Sequence, residues 1–149
     1  MIRYVDTRAA LAEPLPFTDV LLRGIAPGGG LFVPERLPSL SLAGLEALRG
    51  LSYWERAAEI FSLFEPDISQ AKVSAIARKA YGKNFDHRDV AVLRDLGVDK
   101  FMLELWHGPT LAFKDMALQC MPLFFSEAVE QSRREGRDEA DYLILVATS

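Results

Sequence analysis

One cysteine and two histidines are all that 149 residues offer in thiols and imidazoles. A lone cysteine excludes an internal disulfide framework and points to a reducing compartment. His87, His107 and Cys120 lie far apart in the chain and lack metal-ligand spacing, so no metal is expected. Positive charge is also scarce. Seventeen Lys and Arg against 21 Asp and Glu leave a net charge of −4. That balance argues against nucleic acid and against an anionic membrane surface as partners. No apolar run approaches the ~20 residues of a membrane span. Arg3, Asp6 and Arg8 interrupt what would be the apolar core of a signal peptide. Internal repeats and low-complexity tracts are missing too. A cytoplasmic protein is the expectation.

What is present is ordinary globular material: half of the residues are hydrophobic and 26% are charged, enough for a real core. Cys120, in an apolar run, reads as a buried structural thiol. Ile2-Arg3-Tyr4-Val5 alternates like a strand. Thr18 is placed to cap a short helix from Asp19 to Arg23, closed by Gly24. Pro27-Gly28-Gly29-Gly30 reads as a tight turn before Leu31-Phe32-Val33-Pro34, without the lysine and Ser/Thr of a phosphate-binding P-loop. Ser41 to Leu48 fits a short amphipathic helix. Ser52 and Glu55 form a capping box ahead of an apolar stripe of Trp54, Ala57, Ala58, Phe61 and Phe64. From Ser69 to Tyr81 the plan repeats, with Val73, Ile76, Ala77 and Ala80 facing inward. His87 lies among Asp86, Arg88 and Asp89 and reads as a solvated loop residue.

The most informative stretch is His107-Gly108-Pro109-Thr110-Leu111-Ala112-Phe113-Lys114-Asp115. A strand-like run from Phe101 to Trp106 leads in. A helical run, with Pro122 as a kink or a displaced start, leads out toward Gln131. Lys114 thus falls where an irregular loop becomes a helix. A helix N-terminus carries free N–H groups and partial positive charge. An amine held there among Leu111, Phe113 and Met116 has reason to lose its proton readily, as Schiff-base chemistry requires. Asp115 is placed to cap that helix. The charged run from Ser132 to Glu139 reads as a solvated connector. Tyr142 to Ser149 reads as a strand buried on both faces, completing a right-handed βαβ unit. A parallel strand with nothing after it suggests a truncated chain whose exposed strand would self-associate.

The lysine stretch resembles the cofactor-lysine motif of the threonine synthase family. Val146-Ala147-Thr148-Ser149 resembles the strand that enters that family's Ser-Gly-Asp-Thr-Gly turn. Leu21 to Pro34, with its Gly-Gly-Leu-Phe-Val-Pro core, resembles the family's N-terminal segment. Asp6-Thr7-Arg8 resembles a Ser-Thr-Arg-Gly opening, with Asp6 in place of serine and Ala9 in place of glycine. The resemblance implies an α/β fold: a threonine synthase-type N-terminal domain over 1–98, then the first, incomplete part of a fold type II catalytic domain over 99–149.

It further implies pyridoxal 5′-phosphate as cofactor and a lyase that converts O-phospho-L-homoserine and water to L-threonine and phosphate. Lys114 would be the catalytic, cofactor-bearing lysine. Phe113 would pack beside the cofactor, and Thr148 and Ser149 would bind the substrate carboxylate. Two alternatives stay open: a threonine synthase-like phospholyase, and a structural module without catalytic competence. The 149 residues alone are expected to be inactive.

Overall fold

Asp6 closes the first strand, β1 (Tyr4–Asp6), and its buried carboxylate orders the turn that follows. It accepts the backbone N–H groups of Arg8 at 2.7 Å, Ala10 at 3.1 Å and Leu11 at 2.7 Å. Ala9 lies inside this turn at φ 52°. That is the left-handed region, at the position where the family motif carries glycine. Helix α1 (Phe17–Arg23) starts one residue before Thr18, with Pro16 at its cap. Thr18 is therefore not the cap. Its backbone N–H and its hydroxyl both donate to Asp67, far along the chain, and it is fully buried. The glycine run is the expected turn, with Gly29 at φ 71°. It delivers β2 (Phe32–Pro34), which pairs antiparallel with β1, Tyr4 opposite Pro34.

The structure is a computed structural model that describes residues 1–137 and 140–144. Ser41 caps α2 (Leu42–Leu48) through its side chain. Ser52 and Glu55 form the expected reciprocal cap of α3 (Tyr53–Leu63), the Ser52 N–H donating to Glu55 at 2.8 Å. In α4 (Gln70–Tyr81) the residues Val73, Ile76, Ala77 and Ala80 are buried as their spacing predicts. A strand absent from the sequence-based reading follows: β3 (Val92–Gly97), paired antiparallel with β4 (Lys100–Glu104). Both faces of this hairpin leave apolar side chains exposed, Leu93, Phe101 and Leu103 among them.

Pro122 marks the displaced helix start, the second of the two expectations, and makes no kink. The backbone makes one turn, α5 (Asp115–Leu118), and restarts as α6 (Met121–Arg134) with Pro122 in its first turn, where a missing N–H costs nothing. Tyr142 to Ile144 have no regular secondary structure. The rest of the expected closing strand, 145–149, lies outside the described residues.

Two joined clusters form the core. Phe124 of α6 packs edge-on against Phe17 of α1 and Phe61 of α3, with centroids 5.6 and 5.3 Å apart, over Ile68, Val73 and Ile76. Ala80, Tyr81 and Val90 make the second cluster, with Tyr53, Trp54 and Met116 against it. Cys120, half-buried, touches both. The second cluster carries the loop that holds Lys114. Among the described residues no helix is long and apolar enough to cross a membrane.

Candidate active site

The connection from β4 to α5 contains the motif from His107 to Lys114, and its last residue, Asp115, opens α5. It is tied at both ends. Glu104, the last residue of β4, is buried although charged. Arg94, on the neighbouring strand, meets it with two bonds, Nε to Oε1 at 2.6 Å and Nη2 to Oε2 at 3.3 Å. That fork holds the Glu104 carboxyl at about 2, with His107 adding to the effect. His107 follows three residues later. Its Nε2 lies 2.9 Å from Glu104 Oε2 and its Nδ1 lies 2.7 Å from Asp86 Oδ1. Glu104 and then Asp86 raise the His107 pKa above the ordinary imidazole value. Asp86 also donates its backbone N–H to the His107 carbonyl at 2.9 Å.

The far end is held by Asp115. Its fully buried carboxylate accepts the Thr110 N–H at 2.8 Å and the Thr110 hydroxyl at 2.9 Å, and Gln119 donates to it at 3.3 Å. Burial pushes the carboxyl up, but the donors from Thr110 and Gln119 outweigh it and hold the group below its usual range. Asp115 therefore fastens the loop to itself. It is not the helix cap the sequence suggests; Lys114 occupies that position. Leu111, at the loop's turn, holds φ 57°.

Between these anchors Lys114 is exposed. Its neighbours do not wrap it in apolar surface as expected. Leu111 and Phe113 stand in solvent, Phe113 at 67% exposure. Met116 turns inward, onto the cluster of Ala80, Tyr81 and Val90. Tyr81 donates its hydroxyl to the Met116 carbonyl at 2.7 Å and so pins α5 to α4. The site pairs an amine at the rim of a fastened loop with an exposed phenyl ring. Thr148 and Ser149 lie outside the described residues.

Sequence reasoning missed Asp86, Arg94 and the partners of His107. Glu104 and His107, two polar residues three apart at the end of an apolar strand, were a usable signal. Asp86 and Arg94 left none, because a solvated connector and an unread strand supply them.

A sequence profile described as "Threonine synthase N terminus" matches residues 3–81, more than half of the chain. The chain belongs to the threonine synthase N-terminal family. It is 46% identical over 121 residues to a threonine synthase of Pseudomonas aeruginosa, which covers 80% of this chain and 25% of that protein. It is 39% identical over 136 residues to Threonine synthase-like 1 of Homo sapiens, covering 89% of this chain and 17% of that protein. The fold is similar to that of the crystal structure of PLP-bound threonine synthase from Brucella melitensis, with a TM-score of 0.82, 38% identity, and 89% and 28% of the two chains covered. The chain thus spans about a quarter or less of these two curated relatives' length, and the family's α/β architecture is what it shares with them.

Proposed function

We propose that this chain is the N-terminal part of a threonine synthase, in which Lys114 carries pyridoxal 5′-phosphate. The reading rests on one arrangement: an exposed lysine at the rim of a loop in which His107, Thr110 and Asp115 are held in place by protein partners. Rigid surroundings and a reachable amine are what covalent attachment of a carbonyl requires. When bound, the cofactor supplies an electron sink for negative charge developing on substrate carbon.

The chain's own residues do the rest. Lys114 would hold the cofactor through its amine, and that amine would move protons on the bound substrate. Phe113 would flank the cofactor ring. Thr148 and Ser149 bind the substrate carboxylate through hydroxyl and backbone N–H groups. The substrate is O-phospho-L-homoserine and the products are L-threonine and phosphate, the last step of threonine biosynthesis, carried out in the cytoplasm. Residues 1–98 form the N-terminal domain, and 99–149 open the catalytic one.

Borohydride reduction with pyridoxal phosphate, followed by peptide mass mapping, tests the lysine. The adduct is expected on Lys114 ahead of every other lysine. Labelling spread across the surface lysines in proportion to exposure overturns the assignment. A second reading, a threonine synthase-like phospholyase, is favoured by the similarity to the human Threonine synthase-like 1. Assay of a protein carrying this chain together with the remainder of a relative's length separates them: threonine supports the first, a keto acid the second.

A further inference from the structure

His107 stands at the mouth of the lysine loop with both ring nitrogens facing carboxylates. A neutral imidazole has one N–H and can donate only once. Here Nδ1 is 2.7 Å from Asp86 and Nε2 is 2.9 Å from Glu104, so satisfying both acceptors takes the doubly protonated ring. The ring is largely enclosed, its side chain at 13% exposure. Its surroundings come from three segments. Asp86 and His87 lie on the α4–β3 connector, the His87 ring centroid 5.5 Å away and itself 3.8 Å from Asp89. Glu104 ends β4, and Arg94 on β3 neutralises much of its charge. Trp106, next in the chain, stacks at 5.8 Å. Two carboxylates against one guanidinium, which bonds to Glu104, leave room for one more positive charge, which an imidazolium fills.

We infer that His107 is a positioning residue: as an imidazolium clamped between Asp86 and Glu104, it locks the start of the loop that presents Lys114. The clamp joins three segments that the hairpin and a backbone bond, Asp86 N–H to His107 carbonyl, also link. Loss of the second proton removes one of the two ring bonds, and the loop's first residues are released from either the connector or the strand. The loop's far end, held by Asp115, does not depend on that proton. Loosening therefore starts at Gly108 and leaves the Thr110–Asp115 bonds in place.

The inference leans on the proposed function only in calling Lys114 the cofactor lysine; the clamp itself needs no cofactor. Its test is NMR of the 149-residue chain, with the two imidazoles assigned through His87→Asn. At pH 6.5 both nitrogens of His107 are expected to carry protons. Its titration point is expected to lie above the ordinary imidazole value, and Glu104→Gln to lower it. Amide exchange at Gly108, corrected for intrinsic rate, should quicken several-fold as pH rises through that point, while the Thr110 amide stays protected. His107→Gln should reproduce the fast exchange at all pH values. A single neutral tautomer at pH 6.5, or Gly108 exchange indifferent to the titration, overturns the clamp. Should His107→Gln fail to fold, the Glu104→Gln shift and the wild-type exchange profile still decide. Failure of pyridoxal phosphate to label Lys114 sinks the functional reading and leaves the clamp untouched.

Discussion

Gly108 and Asp115 sit against each other across the lysine loop: a Cβ added to Gly108 would lie 2.5 Å from Asp115 Oδ2. The glycine of the motif is there because the buried Asp115 side chain, from its Cβ to its carboxylate, occupies the space a side chain would need. Gly108→Ala is expected to destabilise the chain by about 1–3 kcal/mol, the range for forced overpacking. Urea unfolding measures it. Asp115→Ala alone leaves the Thr110 N–H without its acceptor and is expected to cost about 1–3 kcal/mol. Combining Gly108→Ala with Asp115→Gly should cost clearly less than the sum of those two single variants, because Asp115→Gly removes both the Cβ that meets the added atom and the carboxylate. Additive costs would show that the two residues do not share the space.

Ala9 offers the opposite case, a residue where glycine is better. Its φ of 52° is costly for a residue with a Cβ and free for glycine. The turn is held by the Asp6 carboxylate, which does not depend on the Ala9 side chain. Ala9→Gly is expected to stabilise the chain by up to about 1 kcal/mol, the left-handed cost less the extra entropy of glycine in the unfolded state. A thermal melt reads the gain as a higher Tm. An unchanged or lower Tm would mean the turn relaxes without strain.

These two positions show what was legible. Gly108 and the opening, in which Ala9 replaces the motif's glycine, were visible as motif, and their geometry shows why glycine suits both places. The Ser52–Glu55 cap and the inward face of α4 were visible as spacing, because both act within one helix. What stayed hidden depends on distance in the chain. Thr18 looks like a cap until Asp67 is seen to claim its hydroxyl. Asp115 looks like a cap until its carboxylate is found turned back to Thr110. Strand β3 shows no alternation because five of its six residues are exposed, so burial imposes no period on it. In the candidate site the lysine was legible, and the clamp on His107 was not.

Tyr81 links the core to the site through one bond. Its ring is buried, packed edge-on against Tyr53 with centroids 5.2 Å apart, and its hydroxyl donates to the Met116 carbonyl at 2.7 Å. Tyr81→Phe keeps the ring and removes the donor. The expected loss is about 1 kcal/mol in urea unfolding. Faster amide exchange should be confined to α5, the single turn that follows Lys114. A global rise in exchange with no preference for α5 would assign Tyr81 to general packing instead.

Stability against pH should show two separate slopes, because the site contains groups shifted in opposite directions. Glu104 is lowered to about 2, and Asp115 is lowered as well. In the unfolded chain such carboxyls titrate near ~4. Their stabilisation is therefore complete above that pH and is lost as pH falls through the folded values. His107 is raised. Its contribution is complete below the unfolded imidazole value of ~6.5 and is lost as pH rises through the folded one. Stability should plateau between these limits and decline on either side. Urea midpoints measured across the range test this. Glu104→Gln should flatten part of the acid slope and move the alkaline slope to lower pH, since it removes one of the two carboxylates that hold His107 protonated. His107→Gln should remove the alkaline slope near neutrality while keeping an acid one from Asp115. An alkaline slope unmoved by Glu104→Gln would mean that the His107 charge does not reach the fold through Glu104.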